Sequence, residues 1–295
     1  MDDEYLRKVL YTRRNKQFNI ALNYYCDRDY KSAIPLLLKC RTSNALYLLA
    51  EYNYHKPDYD NMMKYINLSK NNSYSLCLLA DYYRNITKDY TLAKEYYAKS
   101  IKKNNIIAMN NLGYYYEEIE KDYELMKKYY LMAIKLGNSD SMFNLGYYYN
   151  HKDYELMKKY YLMAIEFGES DSMNDLGYHY QFKEKDYELA KKYYLMAIEL
   201  NNVNAMNNLA HYYQFKEKDY ELAKKYYLMA IDLGDSKSMV DIGDYYKFIE
   251  RDYELMKKYY LMAIEMGNTT AMLFLGVYYR DIDYELSKKY FSMMN

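Results

Sequence analysis

The chain has 295 residues, with 41 Lys and Arg against 41 Asp and Glu, 47 Tyr, 20 Met, 9 Gly, 2 Pro and no Trp. A formal net charge of zero removes the bulk attraction that nucleic-acid and anionic-membrane binders use, and no apolar run approaches the ~18 residues of a membrane span. So little Gly and Pro suits stacked helices and speaks against a sheet protein built on tight turns.

The first ten residues, "MDDEYLRKVL", carry no apolar signal core. Tyr5, Leu6, Val9 and Leu10 lie on one side of a helix, which predicts an N-terminal capping helix within residues 1–14. Residues 15–57 read as divergent first repeats. Cys26 and Cys40 fall there, Cys77 follows, and an odd number of cysteines reads as reduced, structural thiols of an intracellular protein. Residues 58–295 are a regular tandem array, expected to form one continuous stack with what precedes them.

The array shows itself in "DYELMKKYYLMAI", present at 122–134, 153–165 and 252–264, and as "DYELAKKYYLMAI" at 186–198 and 219–231. Such self-similarity at a fixed period marks a repeat architecture. The Tyr of "DY" recurs at Tyr90, Tyr123, Tyr154, Tyr187, Tyr220, Tyr253 and Tyr284, in steps of 31 or 33. A small residue after Leu or Ile recurs at Ala80, Gly113, Gly146, Gly177, Ala210, Gly243 and Gly276. All two-residue length changes fall between that small residue and the next "DY", which predicts a loop there.

Each unit reads as two helices. The second spans about Tyr123–Leu136, with Asp122 as N-cap, Glu124 in the first turn and Gly137 as stop. The first spans about Ser139–Tyr149, capped by Asn138. Met126, Tyr130 and Ala133 form one buried face; Leu125, Tyr129, Met132 and Leu136 form a flank expected to pack on the neighbouring unit. A lone hairpin cannot bury such faces, but stacked hairpins can.

At these positions the chain resembles the Sel1-like repeat family, a branch of the tetratricopeptide class. Ala205, Leu209, Ala210 and Tyr213, and again Ala271, Leu275, Gly276 and Tyr279, follow the pattern of its first helix. Asp219, Ala223, Tyr226, Tyr227, Ala230 and Gly234 fill the slots of its second. The resemblance covers about 40–294, and 15–40 loosely; the usual loop glycines are missing and Tyr replaces the usual Trp. It implies an all-α, right-handed α-solenoid of eight to nine stacked helix–turn–helix repeats. It also implies that first helices line a concave groove, to which each unit contributes three positions.

No Gly-rich phosphate loop, nucleophile elbow or metal motif occurs, and the four histidines, His55, His151, His179 and His211, come with no completing cysteine or carboxylate pair. The expectation is therefore no enzyme, no catalytic residue, no metal and no cofactor. Function is expected where the units differ. In the middle units the groove positions are Asn110, Phe143, Asn174 and Asn207; Tyr114, Tyr147, Tyr178 and His211; Asn150, Gln181 and Gln214; with Lys247 and Arg280 towards one end. Amides donate to and accept from peptide backbone, and Tyr adds area and a hydroxyl, so this set fits a peptide segment or partner protein held by a scaffold or adaptor.

Two other readings stand beside it. Single-stranded RNA is read by some helical repeats one base per unit, but zero net charge opposes it, so no nucleic-acid partner is expected, and no membrane. A self-associating rod is the third reading, through the C-terminal end or through an apolar ladder on the convex side: Leu131, Leu162, Leu195, Leu228 and Leu261. Tyr-, Lys-, Asn- and Ile-rich composition and near-verbatim units point to recent duplication in an A/T-rich genome, as in large DNA viruses or protists. The expected setting is the cytoplasm, that of a host if the source is viral.

Overall fold

A computed structural model describes residues 3–11 and 15–294, with the backbone alone for residues 3–5 and 9. Among the described residues there are helices and no strand. Close contacts gather the chain into two units, Met1–Leu145 and Gly146–Asn295. The first unit opens with helix Asp3–Leu10, whose Leu6 and Leu10 are buried in the same core as Phe18, Leu22 and Leu37. The side chains of Tyr5 and Val9, the other half of the expected capping face, lie outside the described residues. Four hairpins follow: Lys16–Cys26 with Tyr30–Cys40, Ser43–His55 with Tyr59–Leu68, Ser73–Tyr82 with Tyr90–Ile101, and Ile106–Tyr115 with Tyr123–Ile134. Helix Ser139–Tyr149 carries the division between the units. The second unit continues with Tyr154–Ile165 and four hairpins: Ser170–His179 with Tyr187–Glu199, Val203–His211 with Tyr220–Asp232, Ser236–Tyr245 with Tyr253–Glu265, and Thr269–Tyr279 with Tyr284–Ser292.

The repeated Asp starts every second helix. Asp29, Asp58, Asp89, Asp122, Asp153, Asp186, Asp219, Asp252 and Asp283 each accept a hydrogen bond from the backbone N–H three residues on, satisfying a donor that the first turn leaves open. Asn72, Asn105, Asn138, Asn202, Asp235 and Asn268 do the same for first helices. At the other end Gly137, Gly168, Gly234 and Gly267 are left-handed, with φ of +83°, +80°, +84° and +79°, and Asn138 N–H reaches back to the Ala133 carbonyl at 3.2 Å. This is the six-residue closure that Gly favours after a helix. In two units Asn104 and Asn201 take the left-handed place.

The expected loop before "DY" is present but does not hold the length changes: it is the pair 121–122 in one unit and the turn 150–153 in the next. Where the small residue and the next Tyr stand ten apart, the first helix runs on into a π-helical turn: Tyr83–Thr87, Tyr116–Glu120, Tyr180–Glu184, Tyr212–Glu217 and Tyr246–Glu250. Each ends on a left-handed Lys88, Lys121, Lys185, Lys218 or Arg251. Where they stand eight apart, no π turn forms. The closure is the same in both cases. Asp122 N–H bonds the Tyr116 carbonyl and Asp186 N–H that of Tyr180, both at 3.0 Å, whereas Asp153 N–H bonds the Tyr149 carbonyl at 2.9 Å. Tyr116, Tyr180 and Tyr149 hold the same repeat position, so two extra residues are taken up in a widened turn without moving either anchor.

Met126, Tyr130 and Ala133 are fully buried, as are Met157, Tyr161 and Ala164 in the second unit. Leu136 is not part of the packed flank: it lies beyond the last helical residue, Ile134, and is exposed. Tyr129 packs within its own hairpin, not on the neighbouring unit, its ring stacked on Tyr116 at 5.6 Å and 4°. No helix among the described residues is long and apolar enough to cross a membrane.

Candidate interaction face

The face that first helices present is built on a lock that recurs down the chain. The second Tyr of "KKYY" lies flat against the small residue of its partner helix. A Cβ on Gly113 would stand 2.6 Å from Tyr130 Cδ1, one on Gly146 2.4 Å from Tyr161 Cδ1, and one on Gly243 2.5 Å from Tyr260 Cε1. Glycine is there because the ring occupies that space.

A hydroxyl buried this deep must find a partner, and it finds one on the first helices or the π turns that extend them. Tyr130 donates to Glu117 Oε2 at 2.8 Å, Tyr161 to Asp175 Oδ2 at 3.1 Å, Tyr194 to Gln181 Oε1 at 2.8 Å and Tyr227 to Gln214 Oε1 at 2.7 Å. Tyr97 donates to Asp81 and Tyr260 to Asp244. Burial pushes these phenols far above their ordinary range, which keeps them protonated as donors. The same burial raises Asp81, Asp175 and Asp244 above the usual carboxylate range, against the lowering effect of the bonds they accept.

The asparagines are likewise engaged inside the stack. In the first unit Asn110 Oδ1 accepts from Ser141 Oγ at 2.8 Å and from Asn144 Nδ2 at 3.2 Å. In the second, Asn174 Oδ1 accepts from Asn208 Nδ2 at 2.8 Å, while Asn207 donates to Asp235 at 2.9 Å and accepts from Ser238. Asn174, Asn207 and Gln214 are buried; the two asparagines tie successive repeats together, and Gln214 is held by Tyr227 of its own hairpin. Phe143, Asn150, Gln181 and Lys247 are partly covered. The open members of the expected set are Tyr114 in the first unit, and Tyr147, Tyr178 and Arg280 in the second, where Tyr147 is 62% exposed.

The two central histidines do not meet. His179 stacks on Tyr154 at 4.8 Å, and His211 Nε2 lies 3.1 Å from Asp241 Oδ2. Burial lowers His179 below its ordinary value. Among the described residues no cluster of His, Cys, Asp or Glu is placed to hold a metal ion. On the opposite face the first lysine of "KK" pairs along its helix, Lys127 with Glu124 at 2.6 Å, and across to the next repeat, Lys191 with Glu217 at 3.3 Å. Leu162, Leu195 and Leu261 are exposed, as is Leu131 in the first unit, and Leu228 is partly covered.

One surface feature escaped the sequence reading. Tyr178 touches Phe182 with ring centroids 4.4 Å apart, and His211 touches Phe215 at 5.8 Å. Phe182, Phe215 and Phe248 hold the same place on the π turns of three successive repeats. The repetition of "QFKEKDY" at 181–187 and 214–220 is the signal that marks it.

Stacked helical hairpins, most of them locked internally by the same buried tyrosine, define an α-helical repeat protein. The Sel1 repeat model matches residues 73–105, 106–138, 139–151, 170–202, 203–235 and 238–268, more than half of the chain, and the chain belongs to that family. It is similar to the Sel1 repeat protein of Oxalobacter formigenes, with 26% identity, a TM-score of 0.61, and coverage of 74% of this chain and 98% of that one. It is also similar in fold to c5321, a protective antigen of uropathogenic Escherichia coli with an SLR fold, at 21% identity and a TM-score of 0.58, covering 94% and 68% respectively. Among curated proteins none matches it by sequence.

Proposed function

We propose that the protein is a non-catalytic scaffold that holds a polypeptide segment of a partner on the first-helix face of its second unit. The observation carrying this reading is that the six repeats holding Tyr97, Tyr130, Tyr161, Tyr194, Tyr227 and Tyr260 bury the same ring on a first helix that offers glycine or alanine, while the exposed positions beside that lock, Tyr147 and Tyr178 among them, are free to differ. Long repeated surfaces of this kind serve as binding faces, and exposed tyrosines give contact area at low entropic cost together with a hydroxyl. The carboxyls Asp175, Asp241 and Asp244 on these helices disfavour a phosphodiester strand, so a polypeptide is the better fit.

A phage-displayed peptide library selected on the wild-type chain tests it. Enriched peptides should bind the Tyr147→Ala/Tyr178→Ala chain at least about tenfold more weakly, a loss of about 1.4 kcal/mol. Failure to enrich any peptide, or peptides indifferent to the double variant, overturns the reading.

A further inference from the structure

We infer that the second unit carries a distinct subsite on its π turns, made for an acidic extended segment with an apolar side chain at every third residue. This rests on the polypeptide-binding reading above and specifies the chemistry of what is bound. Phe182, Phe215 and Phe248 are 53, 69 and 64% exposed. Such rings are costly to leave in water, and here they recur at one position in three consecutive repeats. The contacts of Phe182 with Tyr178 and of Phe215 with His211 make them a continuation of the first-helix face, one turn towards the second helices.

Charge sets the partner. Each π turn also holds a glutamate, and each glutamate is tied to the preceding repeat or to its own helix. Glu217 pairs with Lys191 at 3.3 Å and accepts from Tyr212; Glu250 pairs with Lys224 at 3.5 Å and accepts from Tyr245; Glu184 accepts from Tyr154. The cations are left over. Lys183, Lys185, Lys218 and Arg251 are exposed and form no ion pair among the described residues. Neither π turn of the first unit carries a ring at this place: in Tyr83–Thr87 Asn85 stands in the Phe position, and in Tyr116–Glu120 Glu118 stands there and the left-handed Lys121 pairs with it at 3.5 Å. Three exposed rings interleaved with unpaired cations thus form only in the second unit, and their complement is a segment that is apolar and acidic by turns.

The spacing is consistent with an extended chain. First helices of successive repeats touch directly, through Asn208 with Asn174 and His211 with Asp241, and packed helices stand about 8–10 Å apart. A polyproline-type segment advances ~9 Å per three residues. One apolar side chain in every three therefore meets each ring, and the intervening carboxylates reach the cations on either side.

The test uses the full chain and a fluorescein-labelled peptide of four Leu-Glu-Asp triplets, read by fluorescence anisotropy. Binding is expected to weaken with added salt. It should fall at least about tenfold for Phe182→Ser/Phe215→Ser/Phe248→Ser and for Lys183→Glu/Lys218→Glu, with thermal unfolding unchanged because these side chains are exposed. A peptide of the same composition with its leucines clustered should bind more weakly, as should one of Leu-Lys-Ser triplets. Equal binding of the basic or clustered peptide overturns the inference, and so does tighter binding of oligouridylate, which would make the rings a base-stacking platform. If the library selection instead returns peptides that need Tyr147 and Tyr178 but ignore the three phenylalanines, this subsite fails while the scaffold reading stands.

Discussion

The second helices and the first helices of this protein have been held to different standards. In the second helix the ring of Tyr130, Tyr161, Tyr194, Tyr227 or Tyr260 is fixed, because it fills the space beside a glycine or alanine and no other side chain has that shape and a hydroxyl at that reach. In the first helix the acceptor of that hydroxyl is Glu117, Asp175, Gln181, Gln214 or Asp244 in turn. Shape is conserved from repeat to repeat, while the hydrogen bond is conserved only as chemistry. The last repeat makes the same point by subtraction: Phe291 takes the place of the Tyr against Gly276, and Val277 and Arg280 replace the acceptors.

The contrast breaks hardest if the ring is removed. Tyr194→Ala should cost about 3–5 kcal/mol, the range for a buried aromatic, read as a lowered midpoint in urea unfolding. Next comes the space it fills. Gly146→Leu forces the Tyr161 ring to shift and should cost about 1–3 kcal/mol as overpacking. Gly177→Ala should be far milder, because a Cβ there stands 2.9 Å from Tyr194 Cδ1 against 2.4 Å at Gly146, the chain itself carries a buried Ala210 at the same repeat position, and alanine recovers up to about 1 kcal/mol of helix propensity. Equal losses for the two would mean that the ring has no room to give.

The acceptor sharpens the comparison in the opposite direction. Asp244 is held above the usual carboxylate range chiefly by burial. The folded chain therefore binds its proton more tightly than the unfolded chain, and stability falls as pH rises from the unfolded value near ~3.9 through the raised one. Asp244→Asn keeps an oxygen for Tyr260, as Gln181 and Gln214 do for their tyrosines, without the buried charge. The variant should be more stable than wild type at pH 7 by up to about 1.5 kcal/mol, the gain vanishing below about pH 4. A variant less stable at pH 7 would show that the ionised form is what the site needs.

Much of this was legible in the residues. Caps, helix pairing and the buried face follow from Asp, Gly and the spacing of Met126, Tyr130 and Ala133, since these report local backbone needs and helical period. The π turns were not, although the ten-or-eight spacing recorded them: length alone does not say whether extra residues leave the helix or widen it. The groove positions were identified by register, but register cannot distinguish an amide that faces outward from one that bridges repeats. Asn174 and Asn207 bridge. Leu136 was misplaced for a simpler reason: the helix ends at Ile134, and beyond it the helical wheel no longer applies.

The smallest effect concerns the leucines of the outer face. Leu195 is 40% exposed and Leu261 41%, so each gives up only part of its apolar surface to the stack. A lysine in the same place lays its methylene stem along that surface and puts its charge in water. Leu195→Lys should therefore change unfolding free energy by no more than about 0.5 kcal/mol, the range for surface substitutions, whereas a loss near that of Tyr194→Ala would make it core between repeats. The second unit's set, Leu162, Leu195, Leu228 and Leu261, all changed to Lys, separates stability from assembly. Unchanged helicity with a lower molar mass in light scattering than wild type at the same concentration would show that this face joins copies of the chain; equal masses would leave the leucines as isolated apolar positions among Lys and Glu, which need no further role.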